Sequence, residues 1–262
     1  MNINLTGKQA IVCGSTKGIG KAIAIQLAVS GASITLIARN EEKLKATLPL
    51  LDITKGQVHN FIVSDFSKPL QLQASLEAYF SNQAHVHILI NNTGGPSPGA
   101  VSSANIDEFI EAFKAHLLCN HILVKCISEG MKAEKYGRII NIISTSVKMP
   151  LKGLGVSNTI RGAVANWSKT LATELAPFGI TVNNILPGAT KTERLLEIIN
   201  KKAEKGNKEA AEIEAEMLEE IPAGRFGTAE ELAYAATFLA SPLAGYITGT
   251  NIVVDGGRTG CL

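Results

Sequence analysis

The chain has 262 residues, 45% hydrophobic and 18% charged, with a formal net charge of +2 at neutral pH. That length suits one α/β domain with a single core, and so balanced a charge gives no basic face of the kind that binds nucleic acid. No apolar stretch reaches the length of a membrane-crossing helix, Met1–Lys8 lacks the charged and apolar blocks of a signal peptide, and Cys13, Cys119, Cys126 and Cys261 show no C-x-x-C spacing. The expectation is a reduced, cytoplasmic protein with no metal site, no nucleic-acid partner and no membrane partner.

Apolar runs of strand length alternate with helix-length amphipathic stretches along the whole chain. The predicted strands are Gln9–Cys13, Ser33–Ala38, Val58–Val63, Val86–Ile90, Gly137–Ile143, Ile180–Ile185 and Asn251–Val254. Several are nearly continuous Val and Ile, as in parallel strands covered on both faces. Seven such strands with helices between them predict a doubly wound, parallel Rossmann sheet in a single α/β domain. Right-handed crossovers would place a ligand at the carboxyl ends of those strands.

The first strand runs into Gly14-Ser15-Thr16-Lys17-Gly18-Ile19-Gly20, followed by the helical run Lys21–Ser30. Glycines at these positions let backbone N–H groups and the helix N-terminus approach a pyrophosphate. Taken alone, the same spacing also suits a tight structural turn. Two basic residues bear on the cofactor: Lys17 inside the turn and Arg39 at the end of the second strand. An acid near that strand end bonds a ribose 2′-hydroxyl, whereas an arginine accommodates a 2′-phosphate. Ile37-Ala38-Arg39-Asn40 has no acid before Glu41, so NADP(H) is preferred over NAD(H), with a plain surface arginine as the alternative.

In chain order, the glycine turn, Asn91-Asn92-Thr93-Gly94, the strand ending at Ser144, and Pro187-Gly188-Ala189-Thr190-Lys191-Thr192 resemble the short-chain dehydrogenase/reductase family. The run Glu230–Leu239 and the ending Tyr246-Ile247-Thr248-Gly249…Asp255-Gly256-Gly257 are most similar to its β-ketoacyl-acyl carrier protein reductase-like members. The resemblance implies hydride transfer between a nicotinamide and a carbonyl or alcohol carbon of a small molecule. It places Asp65 at the adenine amino group, with a helix cap before Pro69 as the alternative reading. It also assigns Asn91, Asn92 and Gly94 to the cofactor, gives Pro187 and Gly188 the turn before the nicotinamide, and sets Thr192 on its carboxamide. A homotetramer is implied as well, through helices at Asp107–Met131 and Asn158–Phe178 and the C-terminal strand.

The departure is at the chemical site. The family carries Tyr-x-x-x-Lys thirteen residues beyond its serine; here Ser144 is followed at that distance by Ser157-Asn158-Thr159-Ile160-Arg161. Ser157 is shorter than tyrosine and a far poorer acid. Arg161 keeps a cation able to bond ribose hydroxyls but is too basic to exchange protons. The family's helix asparagine falls on His116, which is either catalytic or simply packed. Ser146 replaces Ser144 if the register slips. Two functions remain open: an oxidoreductase whose proton comes from water, His116 or the substrate, and a cofactor-binding sensor or assembly partner without turnover.

Glu193–Glu220 is rich in Glu and Lys, with Leu195, Leu196, Ile199, Ile213, Met217 and Leu218 at roughly helical spacing. It reads either as a solvated helical hairpin or, by resemblance, as a lid over about 193–221 whose apolar stripe faces the pocket. The second reading underlies the expectation of an apolar carbonyl or alcohol substrate.

Overall fold

The computed structural model describes residues 3–80 and 86–261. One parallel sheet of seven strands runs through it in the order β3-β2-β1-β4-β5-β6-β7. The strands are β1 (Gln9–Cys13), β2 (Ser33–Ala38), β3 (Asn60–Val63), β4 (Ile88–Asn91), β5 (Gly137–Ile142), β6 (Ile180–Pro187) and β7 (Asn251–Val254). The helices are α1 (Gly18–Val29), α2 (Glu41–Thr47), α3 (Pro69–Phe80), α4 (Ile106–Phe113), α5 (Cys119–Ala133), α6 (Gly155–Leu175), α7 (Glu193–Gly206), α8 (Ala210–Glu219) and α9 (Ala229–Ala240).

Burial on both faces explains the unbroken Val and Ile runs. One face packs Ile23, Leu27 and Ala28 of α1 and Leu232, Ala236 and Leu239 of α9 onto Val12, Leu36, Ile90 and Ile140. The other packs Leu72 and Leu76 of α3, Leu123 and Ile127 of α5 and Ala172 of α6 onto Ile11, Ile37, Leu89 and Val182. Truncating a fully buried leucine such as Leu27 or Leu76 is expected to cost about 2–5 kcal/mol.

The departures from the predicted elements have local causes. The third strand begins at Asn60 rather than Val58, because the Val58 N–H bonds the Ser33 hydroxyl (3.1 Å) instead of a ladder carbonyl, and its side chain is exposed. The expected helix over 107–131 is two helices joined by a π-turn at Lys114–Leu118. Such single wide turns are frequent at functional positions, and this one carries His116. Helix α6 ends at Leu175, where Pro177 and a left-handed Gly179 (φ 74°) stop it.

Four in-register asparagines cross the sheet. Asn91 donates to Asn141 (2.8 Å), Asn141 to Asn184 (2.9 Å), and Asn184 to Asn251 (2.8 Å). Buried amides are costly unless bonded, so this row fixes the register from β4 to β7.

Candidate active site

The parallel register brings the carboxyl ends of the strands to one edge of the sheet. Chain order reverses between β1 and β4, the position where open α/β sheets leave a ligand crevice. At the end of β1, Gly14 and Gly18 take left-handed φ values of 57° and 53°. A Cβ on Gly14 would lie 2.7 Å from the Asn92 carbonyl, and one on Gly20 would collide with the Gly14 carbonyl. Only glycine fits either position. Asn92 closes the arrangement by donating to the carbonyls of Cys13 (3.2 Å) and Gly14 (3.3 Å).

Helix α1 starts at Gly18 with no side-chain cap and no acid in its first turn. Its N-terminal amides and positive dipole end are thus free to meet an anion. Within the turn, Ser15 is buried and bonds the Ile37 carbonyl (3.4 Å), while Thr16 and Ile19 are half-buried. This cradle fits the pyrophosphate of a dinucleotide.

Arg39 is exposed at the end of β2. Asp65 follows β3, with its carboxylate accepting from the Ser67 N–H (3.0 Å). Partial burial opposes its ionisation, but the Ser67 bonds and the nearby Arg39 charge outweigh this and hold the carboxyl below its ordinary value. The carboxylate thus closes a turn at Ser67, just ahead of α3.

Asn91 requires a correction. It is buried, and its amide NH2 donates to Asn141 while its Oδ1 has no partner among the described residues, so half of the side chain builds the sheet. Gly94 is exposed, and its backbone hydrogen-bonds the His116 ring. Gly188 packs so closely on Asp255 that a Cβ there would lie 2.5 Å from the Asp255 Cβ, and its N–H bonds the Val254 carbonyl (2.9 Å). Pro187 closes β6, and Thr192 caps α7 through the Leu195 N–H (3.4 Å) while its hydroxyl donates to the Thr190 carbonyl (3.2 Å).

At the end of β5, Ser144 stands in extended conformation and half-exposed, with its hydroxyl accepting from the Ser146 N–H (3.1 Å). Ser146 is buried and its hydroxyl has no partner among the described residues, whereas Ser144 is the more exposed of the two serines. Ser157 and Arg161 lie one turn apart on α6, which packs on both the Thr145–Val147 turn and the π-turn. Ser157 is half-buried; Arg161 is buried and donates to the Ile142 carbonyl (3.1 Å).

His116 is buried beside Arg161. Burial, then the Arg161 charge, push its pKa down to about 2 despite the bond to Gly94. The imidazole is therefore neutral at working pH, and its candidacy as an imidazolium proton donor is withdrawn.

The 193–220 segment also corrects an expectation. Leu195, Ile199, Ala203 and Ile213 form their own small core with Met217 and Phe226, and Leu196 is exposed. The apolar stripe is consumed between α7 and α8, and the inference of an apolar substrate loses its basis. Two residues missed in the sequence tie α7 to the crevice. Glu193 pairs with Lys17 (2.9 Å), and Arg194 donates to the Pro96 carbonyl (3.0 Å). Only their position just after Thr192 hinted at this.

The family profile described as Enoyl-(Acyl carrier protein) reductase matches residues 14–259. The chain belongs to the short-chain dehydrogenase/reductase family of oxidoreductases. The NADPH-dependent reductase BacG of Bacillus subtilis (strain 168) is 30% identical over 254 residues, covering 97% of this chain and 98% of that protein. The 3-oxoacyl-[acyl-carrier-protein] reductase FabG of Haemophilus influenzae is 34% identical, with the same two coverages of 97% and 98%. Among solved structures, L-sorbose reductase from Gluconobacter frateurii, complexed with NADPH and L-sorbose, superposes with a TM-score of 0.93 at 30% identity, covering 100% of both chains.

Proposed function

We propose that this chain is an NADP(H)-dependent oxidoreductase acting on a carbonyl or alcohol compound, with its proton drawn from water rather than from a tyrosine. The observation that carries this reading is the glycine cradle at the uncapped start of α1, set beside the basic Lys17 and Arg39 and next to Ser144. Relatives and a structural neighbour named as NADPH-dependent or NADPH-bound reductases support the same preference.

Bound NADPH would supply the hydride. The protein's own residues would do the rest: Gly14, Gly18 and Gly20 admit the pyrophosphate, Arg39 and Lys17 meet the 2′-phosphate, and Asp65 reads the adenine amino group. Thr192 holds the nicotinamide carboxamide, and Ser144 donates to the substrate oxygen. The α7–α8 pair serves as a lid, held by Lys17–Glu193 and Arg194–Pro96. The whole chain acts as one nucleotide-binding domain, in the reducing setting that its four free thiols suit.

The homotetramer that the family resemblance implies is part of this reading, and the exposed apolar row Ile106, Ile110, Phe113 and Leu118 along α4 and the π-turn supports contact with a second copy. A face of this kind is unusual on a monomer.

One observation favours the second reading, cofactor binding without turnover. Neither His116 nor Arg161 both holds and releases a proton near neutral pH. Calorimetric titration with NADPH and NADH, followed by NADPH oxidation across a broad carbonyl panel, separates the two. Tight NADPH binding with no oxidation of any compound would leave the binding protein standing.

A further inference from the structure

Two arginines are buried in this fold, and they are treated differently. Arg138 makes three hydrogen bonds, from Nε to the Ser241 carbonyl (3.2 Å) and from Nη1 to those of Gly137 (2.8 Å) and Gly179 (3.2 Å), and its guanidinium lies 4.2 Å from the centre of the Tyr136 ring. Arg161, 8% exposed, makes one hydrogen bond, from Nη1 to the Ile142 carbonyl. Its Nε is buried with no partner among the described residues. Its Nη2 points toward Gly95, where a Cβ would still be 3.8 Å away.

No carboxylate compensates the charge among the described residues. Every ion pair lies elsewhere, and the ionisable neighbour, His116, is neutral. Burial lowers the Arg161 pKa only to about 10, so the charge persists at neutral pH. An uncompensated buried cation is strongly unfavourable, and the neutral hydroxyls of a ribose would leave it uncompensated. The unused Nε and Nη2 form one edge of the guanidinium, the side that grips both oxygens of a carboxylate in parallel. Nη1 anchors the group at the end of β5, two residues before Ser144, and Nη2 is the guanidinium atom nearest the exposed, side-chain-free Gly95.

We propose that Arg161 is the carboxylate-binding residue of the substrate pocket, and that the substrate class is a small oxo or hydroxy acid. Its carboxylate seats on the Nε/Nη2 edge of Arg161, with the neighbouring carbonyl or hydroxyl directed toward Ser144. This assignment rests on the oxidoreductase reading above and narrows it.

The test compares 2-oxobutyrate and acetoacetate with their neutral methyl esters, by calorimetry and thermal melting of the full chain in the presence of NADPH. The acids are expected to bind at least roughly tenfold more tightly than the esters and to raise the melting temperature. Arg161→Met should abolish that difference and melt above the wild type without ligand. Arg161→Lys, which keeps the charge and loses the fork, should weaken acid binding by roughly fivefold and leave the esters unchanged. Adenosine 2′,5′-bisphosphate, an anion of the cofactor's own kind, should bind wild type and Arg161→Met alike. Equal binding of acids and esters to the wild type overturns the proposal. So does an acid preference that survives Arg161→Met, or acid binding undiminished in Arg161→Lys. An acid preference without any NADPH oxidation would instead overturn the oxidoreductase reading and leave the carboxylate site in place.

Discussion

Lys17, inside the glycine turn, is paired at 2.9 Å with Glu193, the first residue of α7. The ammonium expected at the cofactor 2′-phosphate is thus shared with the start of α7. Both side chains are largely exposed, so the pair is weak and screened by salt. Glu193→Gln frees Lys17 for the phosphate, and NADPH is expected to bind about two- to fivefold more tightly, with NADH unchanged. Calorimetry with both cofactors at fixed ionic strength checks this.

Arg39 stands exposed at the end of β2, and its charge already acts on Asp65. Wild-type protein is expected to bind NADPH at least several-fold more tightly than NADH. Arg39→Asp should reverse the order by placing an acid where a 2′-hydroxyl is otherwise read. Equal affinities in the wild type would remove the preference.

His116 gives the fold a pH dependence of definite sign. Its pKa falls from 6.5 to about 2 on folding, so below pH 6.5 the unfolded chain takes up a proton that the folded chain refuses. Stability held above that pH is lost as the pH falls, at about 1.4 kcal/mol per unit. Between pH 6.5 and 5 the wild type should lose about 2 kcal/mol more than His116→Asn. Urea denaturation at fixed protein concentration gives the two slopes, and parallel slopes would contradict the neutral, buried imidazole.

Ser157 and Arg161 share one face of α6, where the family carries its acid and its lysine. Ser157→Tyr combined with Arg161→Lys is expected to raise reduction of neutral ketones by about 10²–10⁴ where proton transfer limits the rate. Ser144→Ala should then remove the gain. A double variant that binds NADPH normally and reduces no carbonyl would show that the absent acid is not what limits turnover.

Phe113 is 40% exposed in the apolar row on α4. On the proposed homotetramer, Phe113→Glu is expected to give smaller species at micromolar concentration, since burying a charge at the centre of an apolar contact is strongly unfavourable. Light scattering on both proteins gives the answer, and a monomeric wild type would remove the tetramer.

The fold was legible in the chain because both faces of the sheet are covered. Double burial writes Val and Ile into consecutive positions, as in Gln9–Cys13 and Gly137–Ile142, and the alternation of strand and helix then leaves one topology. Gly14, Gly18 and Gly20 were equally readable, because two need left-handed backbone and the third has no room for a Cβ. The absence of Tyr-x-x-x-Lys after Ser144 was likewise plain in the sequence.

Tertiary structure decided the rest, where a side chain's meaning depends on partners distant in the chain. Asn91 joins the sheet row because Asn141, fifty residues away, lies in register beside it. The α7 stripe packs on α8 rather than over the crevice, since periodicity shows that a helix has an apolar face and not what covers it. Above all, the register after Ser144 marks Arg161 but does not reveal how its hydrogen bonding differs from that of Arg138. Neither has an acid among the described residues, but packing gives one three carbonyls and the other a single one, with its Nε left over, because burial and pairing belong to the assembled fold and not to the residue.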